Sequence, residues 1–413
     1  MDTPLSEWTD VSDVDNVVIF VSDALRFDFL PEEVRNLGVT ARAIAPSTFT
    51  ASALPSLLTG MYPATHKVWM FDDRLAESAE LLRADGVDVG FNAESVWIGL
   101  ESDEKPPLQI HHLETESKLG ELEPPFVHVV HDVGPHAPYG FGNEAFESTE
   151  EFFREYESRR SRLIDLYRQD CHNSAERFLD VYDQLAERDL LDETLVVFTS
   201  DHGQCLGEQR NGGRFGHGHP MCPETVEIPI VFLGAGLPKD ETYPSLLSGT
   251  DVAPTVLSAQ RGAAPDGVDG VDVWREGSDP SRKPRSDVWQ HLEVEARGLS
   301  TELSVYAASG VWNATGGHVL HRKSSVQRLG ALLYDNLFRG YSPAWRDNAS
   351  PRKVASLVRL SLARTLTFGD PDFTTADASA LVPDEFEEGA HQFADTTLNE
   401  DQESLLRDLG YLK

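Results

Sequence analysis

Three short apolar runs in this chain each break off into residues that carry chemistry, and they constrain its fold more than any other feature. Leu195 to Phe198 leads into Thr199-Ser200-Asp201-His202-Gly203. Asn16 to Ser22 leads directly into Asp23, with Arg26 and Asp28 just beyond. Phe126 to Val130 leads into His131-Asp132, followed by His136. Runs this short, rich in β-branched and aromatic residues and bounded by polar ones, read as strands buried on both faces of a parallel sheet. Open α/β sheets place their ligands at the carboxyl ends of such strands. The sequence therefore predicts carboxylates and imidazoles gathered along one sheet edge.

Each residue also has a plainer reading. An Asp after a strand commonly caps a helix or closes an Asx-turn. Asp23 alone fits that role, whereas Asp23 paired with Asp201-His202 suits a divalent cation. The segment Pro46 to Pro63 is rich in hydroxyls and leads into a short helical stretch ended by Thr59-Gly60. Hydroxyls there either cap the helix or supply a nucleophile. A hydroxyl is a poor nucleophile at its free pKa, and metal coordination is one way to activate it. A helix N-terminus adds N–H donors for an anion.

Residues from about 14 to 260 alternate apolar strands with helical patterns, as a parallel sheet covered on both faces requires. Leu163 to Leu191 reads as one long helix, and Glu144 to Arg162 as a lid or an outer helix. Gly262 to Pro284 reads as a linker. It divides residues 1–285, an α/β domain, from residues 286–413, a smaller unit with short β-like runs such as Ser304 to Ala308 and His318 to His321. Residues 366 to 400, acidic and proline-containing, are expected to form a solvated loop.

The co-linear order of these segments resembles the sulfatase-like branch of the alkaline phosphatase superfamily. The resemblance runs through Asn16 to Asp28, Thr50 to Pro63 with its Leu57-Leu58-Thr59-Gly60 and Tyr62-Pro63, and Pro135-His136-Ala137-Pro138-Tyr139. It continues through Ser200 to Gly207, Gly216-His217-Gly218, Ile228-Pro229-Ile230, Asp251 to Thr255, Gly267 to Gly270, Leu333-Tyr334-Asp335 and the terminal Leu406 to Leu412. It implies an alkaline phosphatase-like α/β fold, with a mixed, mostly parallel sheet and a small C-terminal antiparallel sheet with helix. It implies a metal-dependent hydrolase with Asp23, Asp201, His202 and Thr50 at a first metal. Asp132, His136 and His217 complete a second metal, or His136 and His217 donate hydrogen bonds to the substrate anion. His131 and His219 are spare candidates. Arg26 is a further contact to a substrate oxygen, although a surface salt bridge is the commoner fate of an arginine. Glu208 falls near the site, and its plain role is solvent exposure. The cofactor expected is one or two divalent ions: zinc, manganese, calcium or magnesium.

Two departures bear on the reaction. Thr50 stands where the family carries the Cys or Ser that is oxidised to formylglycine, and threonine cannot yield that aldehyde. Ser52 and Leu54 replace the motif's Pro and Arg, and Gly86 to Trp97 lacks the sulfate-gripping lysine. The resemblance then implies cleavage of phosphate mono- or diesters, as in related phosphodiesterases, through a covalent Thr50 intermediate. The alternatives are sulfate-ester hydrolysis and phosphoryl transfer to a glycan or lipid head group. The substrate expected is a small-molecule or glycan ester.

Composition sets the surroundings. The 413 residues carry a formal charge of −34 from 69 acidic and 35 basic residues, and only 8 of the basic residues are lysine. Acidity spread over a whole folded chain, with lysine scarce, predicts a salt-adapted protein of haloarchaeal type. At molar salt the Debye length is about 3 Å, which screens the self-repulsion. Such charge disfavours nucleic acid as a partner. Three cysteines build no disulfide framework, and Cys205 reads as a small buried filler. Met1 to Asp15 lacks the basic and apolar regions of a signal peptide. No apolar run reaches about 18 residues, so no membrane span is expected. A cytoplasmic location follows as the default, and nothing in the residues sets an oligomeric state.

Overall fold

The computed structural model describes residues 1–389 apart from 12–13, 84–85, 99, 141–148, 157, 297–298 and 331–348. Its main sheet takes β1 (Asn16–Ser22), β2 (Val39–Ile44), β3 (Asp88–Asn92), β4 (Phe126–Asp132) and β5 (Thr194–Thr199). A two-stranded ribbon, β6 (Cys205–Leu206) with β7 (Phe215–Gly216), follows. Then β8 (Glu227–Gly234), β9 (Glu241–Thr242) and β10 (Leu247–Ser248) return to the sheet. The strand order is β10-β2-β8-β5-β1-β4-β3, with β9 beside β2. Only β8 runs against its neighbours, β5 and β2; the other pairs are parallel. The carboxyl ends of β1, β2, β3, β4 and β5 therefore share one edge.

Strand alternation sorts the core into two layers. Val17, Ile19 and Val21 of β1 join Leu195 and Val197 of β5 in a cluster with Leu54, Leu57 and Leu58 of the helix Thr50–Thr59. Val18, Phe20, Val196 and Phe198 face the other way, onto Leu163, Leu166 and Phe178 of the long helix Arg160–Glu187. Burying each such side chain stabilises the fold by about 1.5–3 kcal/mol. The apolar positions of the long helix recur at three- and four-residue spacing, which gives it one buried stripe. A separate helix, Thr149–Tyr156, precedes it in the region expected to hold a lid or outer helix.

The Gly/Pro-rich stretch 262–284 is irregular but packed. Val273 and Trp274 are buried, and their carbonyls accept hydrogen bonds from Leu5 and Ser6 at 3.0 Å each. Beyond it, β11 (Arg285–Ala296), β12 (Leu299–Asn313), β13 (Gly316–His321) and β14 (Thr365–Gly369) form an antiparallel sheet in that order. It shares the main core through Val288, Ala308 and Trp312. Asp287 N–H also donates to Pro46 O at 2.8 Å, near the Thr50 helix. The loop expected over 366 to 400 is corrected in part. Leu366 and Phe368 alternate inward from β14, and Thr374 with Asp377 closes a capping box on the helix Thr375–Ala380. The segments Leu333-Tyr334-Asp335 and Leu406 to Leu412 lie outside the described residues.

Candidate active site

The shared edge gathers side chains from four strand ends. Asp23 leaves β1, His131 is the penultimate residue of β4, Asp201 and His202 leave β5, and Thr50 follows β2 at the start of its helix. All five are buried. One donor atom each from Asp23, His131 and Asp201 lies within 4.8 Å of the others, a spacing that a single divalent ion can span. His131 Nε2 is 3.5 Å from Asp23 Oδ2. His202 Nε2 is 3.4 Å from Asp201 Oδ2 and 3.8 Å from Asp23 Oδ1.

Backbone hydrogen bonds hold this arrangement. Asp201 Oδ1 accepts from the N–H groups of His202 (2.8 Å) and Ala24 (3.2 Å), which joins the β5 exit to the β1 exit. Ala24 sits in the left-handed region at φ 62°, a conformation that costs a non-glycine residue energy. It directs that N–H at Asp201, while its carbonyl accepts from Tyr167 Oη at 2.6 Å. Ser200 Oγ accepts from Leu25 N–H at 2.9 Å and donates to His202 O at 2.7 Å.

Thr50 is the first residue of a ten-residue helix whose cap position, Phe49, is extended and offers no side-chain oxygen. The Thr50 hydroxyl is not spent on capping. It lies 3.1 Å from His202 Nε2. His202 Nδ1 faces Gly203 O at 2.9 Å, so Nδ1 carries the proton and Nε2 presents a lone pair to the Thr50 O–H. Thr48 and Gly218 exchange hydrogen bonds (Oγ1 to O, 2.6 Å; N to O, 2.8 Å), which bring the His217 loop against the approach to Thr50. The His217 ring stacks on His202 at 4.2 Å between centroids, and His217 Nε2 meets His136 Nε2 at 3.1 Å. His136 Nδ1 faces Ala137 O at 2.9 Å and His217 Nδ1 faces Thr48 O at 3.3 Å.

The electrostatics follow from burial opposed by neighbours. Burial pushes the Asp23 carboxyl up, but His136, His131 and His202 outweigh it and hold Asp23 well below the usual carboxylate range. Burial and the charge of Asp23 push Asp201 up. Burial pulls His131 down, yet Asp23 and Asp201 more than offset this and raise it. Burial lowers His136 and His217, and neighbouring imidazoles add to the effect. Two buried carboxylates this close repel, and a cation between them relieves both.

Other candidate residues lie elsewhere. Asp132 is drawn away from the cluster. Its carboxylate takes Arg177 Nε at 2.6 Å and a second Arg177 nitrogen at 2.8 Å, with Ser174 Oγ at 2.7 Å. The reason is parity: His131 faces the Thr50 helix, so Asp132 faces the long helix. The expected set of Asp132, His136 and His217 therefore comes together only as its two imidazoles. Arg26 directs its N–H groups at Asp28 (2.7 and 2.8 Å), Glu208 (2.7 Å) and Gln204 O (3.3 Å). Glu208 accordingly points inward rather than to solvent. His219 lies between Arg214 and Gln290, at 3.0 Å from each. Leu54, at the position of the motif's Arg, packs into the apolar core. Cys205 is buried, with its sulfur 3.6 Å from that of Cys222. Sequence reasoning ranked His131 low, although Val127, Val129 and His131 share one strand face and so aim that imidazole at the core layer of the Thr50 helix.

Known proteins agree with this architecture. A family model described as sulfatase matches residues 113–262. A low-salt glycan biosynthesis sulfotransferase, Agl7, from Haloferax volcanii is 43% identical over 411 residues, covering 99% of this chain and 99% of its own. The phosphonate monoester hydrolase of Agrobacterium radiobacter superposes with a TM-score of 0.55 at 16% identity, over 84% of this chain and 96% of its own. A 2-O GAG sulfatase superposes at 0.54 and 13% identity, over 87% and 96%. No described helix is long and apolar enough to cross a membrane. The family model, the full-length relative and the shared architecture together show that this chain belongs to the sulfatase family, as a sulfatase-like hydrolase of the alkaline phosphatase-like fold.

Proposed function

We propose that the protein transfers a sulfuryl group through a covalent ester on Thr50, with a glycan hydroxyl as acceptor. The observation that carries this reading is the Thr50 hydroxyl 3.1 Å from the lone-pair nitrogen of His202, beside the Asp23, His131 and Asp201 cluster. Those three donors fit a divalent ion, since they bring two carboxylates and an imidazole together in one buried cluster. When bound, the ion supplies Lewis acidity that favours the threonine alkoxide and the charge on the ester oxygens.

The chain's own groups do the remainder. Thr50 Oγ1 gives its proton to His202 Nε2 and attacks the sulfur in line. The bond from sulfur to the leaving oxygen breaks, and that oxygen departs as an anion and takes its proton from solvent. N–H groups at the start of the Thr50 helix face the transferred anion. A threonine ester has no second hydroxyl on the same carbon with which to expel the group. Release therefore needs another attack at sulfur, and an acceptor hydroxyl serves as well as water. The name of the full-length relative, a glycan sulfotransferase, supports the sulfuryl group and the glycan.

A second reading, hydrolysis of phosphate mono- or diesters with water as acceptor, is favoured by Thr50 itself, which needs no conversion to an aldehyde. The discriminating assay supplies nitrophenyl sulfate, nitrophenyl phosphate and bis-nitrophenyl phosphate with zinc, manganese, magnesium or calcium. It runs with and without an oligosaccharide acceptor. The expected result is a burst of about one equivalent of nitrophenol per chain from the sulfate ester without acceptor, and sustained release with acceptor and no matching free sulfate. Acceptor-independent turnover, giving free phosphate from nitrophenyl phosphate or nitrophenyl phosphate from the diester in step with nitrophenol, would establish the second reading. The acidic surface also supports a salt-adapted cytoplasmic enzyme. Its melting temperature is expected to rise by about 10 °C or more between low and molar KCl as surface repulsion is screened.

A further inference from the structure

Asp132 is not placed among the proposed metal donors, yet its carboxylate collects five hydrogen bonds. Oδ1 accepts from Arg177 Nε at 2.6 Å and from Ser95 Oγ at 3.3 Å. Oδ2 accepts from Arg177 at 2.8 Å, from Ser174 Oγ at 2.7 Å and from Gly134 N–H at 2.9 Å. Ser174 Oγ is in turn 2.8 Å from Ser22 Oγ, and Ser95 Oγ accepts from Val133 N–H at 3.0 Å. The backbone carbonyl of Asp132 takes the N–H of Asp23 at 3.0 Å. One residue thus fastens the exits of β1, β3 and β4 to the long helix.

Three of these attachments adjoin a residue of the site. Ser22 precedes Asp23, and His131 precedes Asp132. Gly134 opens the turn to His136. A Cβ on Gly134 would lie 2.3 Å from Asp23 O, and the residue takes φ 51°, so the turn sits tightly over the Asp23 backbone. The paired bonds from one guanidinium to one carboxylate fix direction as well as distance. Arg177 also neutralises a carboxylate that would otherwise add negative charge behind the cluster.

We infer that Asp132, clamped by Arg177, is the positioning residue of the metal centre: it sets the separation of Asp23 from His131 and the aim of His136. The inference rests on the Asp23–His131–Asp201 reading above. Groups that orient metal donors from behind typically contribute 10–100-fold in metal affinity.

The test is calorimetric titration of the full chain with Mn²⁺ and with Zn²⁺, beside steady-state kinetics at saturating metal. Asp132→Asn is expected to weaken metal binding about 10–100-fold. It should lower kcat and leave KM within about twofold, since the residue touches no substrate. Arg177→Lys keeps the charge and loses the paired geometry, so it should weaken metal binding by a smaller factor, and it decides the matter if Asp132→Asn does not fold. Arg282→Met is the control for mere loss of stability. Arg282 grips the buried Asp251 with contacts of 2.6 and 2.7 Å, away from these strand ends. It should lower the melting temperature and leave metal affinity unchanged. Wild-type affinity in folded Asp132→Asn and Arg177→Lys proteins, or an equal loss in Arg282→Met, overturns the inference. Asp23→Asn tests the reading beneath it, because unchanged metal binding there removes the metal centre itself.

Discussion

Three buried carboxylates stand at the ends of three adjacent strands and meet opposite fates. Asp23 and Asp201 face the Thr50 helix, where their neighbours are each other and a group of imidazoles. Asp132 faces the long helix, where a guanidinium, two hydroxyls and a backbone N–H meet its oxygens. The first environment sets two buried carboxylates beside each other, with imidazoles and backbone N–H groups around them, a donor set that a cation can share. The second satisfies the charge within the fold. On the reading proposed above, a carboxylate at a strand end serves as a ligand or a strut according to which face of the sheet it occupies.

The ligand side should be essential to activity. Thr50→Ala is expected to lower turnover by about 10³-fold or more, because no other group can carry the covalent ester. Thr50→Ser should retain substantial activity. Mass spectrometry of a quenched reaction should locate the adduct on the peptide containing Thr50. Full turnover by Thr50→Ala would abolish the distinction between nucleophile and bystander on this face.

The two sides should also differ in the sign of their stability effects. Burial and Asp23 push the Asp201 carboxyl up, so between the usual carboxylate value and the raised one the native state holds the proton that the unfolded chain has released. Stability contributed by this group therefore falls as pH rises through that window. Asp201→Asn should stabilise the metal-free protein at neutral pH by about 1–2 kcal/mol while destroying tight metal binding. Arg177→Met on the strut side should destabilise it by about 2–3 kcal/mol, since Asp132 would remain buried without its counter-ion. Urea denaturation of the metal-free proteins measures both signs. Destabilisation by Asp201→Asn would show that the cluster is satisfied without a cation.

Much of this contrast was legible in the sequence. The runs ending in Asp23, His131-Asp132 and Asp201-His202 point to the carboxyl edge, and the family resemblance through Leu57-Leu58-Thr59-Gly60 singles out Thr50. Parity along β4 is legible too. Counting along β4 from Val127 sends His131 to one face and Asp132 to the other, which inverts their expected ranks. The commitments of Arg26 to Asp28 and Glu208, and of His219 to Gln290, depend on long-range packing that no local pattern encodes. The strand at Thr365–Gly369 followed a readable alternation of Leu366 and Phe368, masked by the acidic composition around it.

The smallest effect concerns histidines away from the cluster. Burial lowers His66 and His111 to about 3 and His128 and His321 to about 4, from an ordinary 6.5. In the native protein these rings stay neutral where the unfolded chain is already protonated. Between about pH 6.5 and 4 the unfolded state binds more protons, so stability falls as pH falls, by about 1–2 kcal/mol for each ring at pH 5. Acid unfolding is therefore expected to begin before most carboxylates titrate. His66 is the best single probe, because its Nε2 meets Ser56 Oγ at 2.8 Å inside the Thr50 helix and its Nδ1 accepts from Val68 N–H at 3.0 Å. His66→Gln should flatten the pH dependence of urea stability over that window while leaving the metal affinity of the Asp23 cluster intact. An unchanged slope would remove His66 from the groups that set the acid sensitivity and leave it to His111, His128, His321 and the cluster.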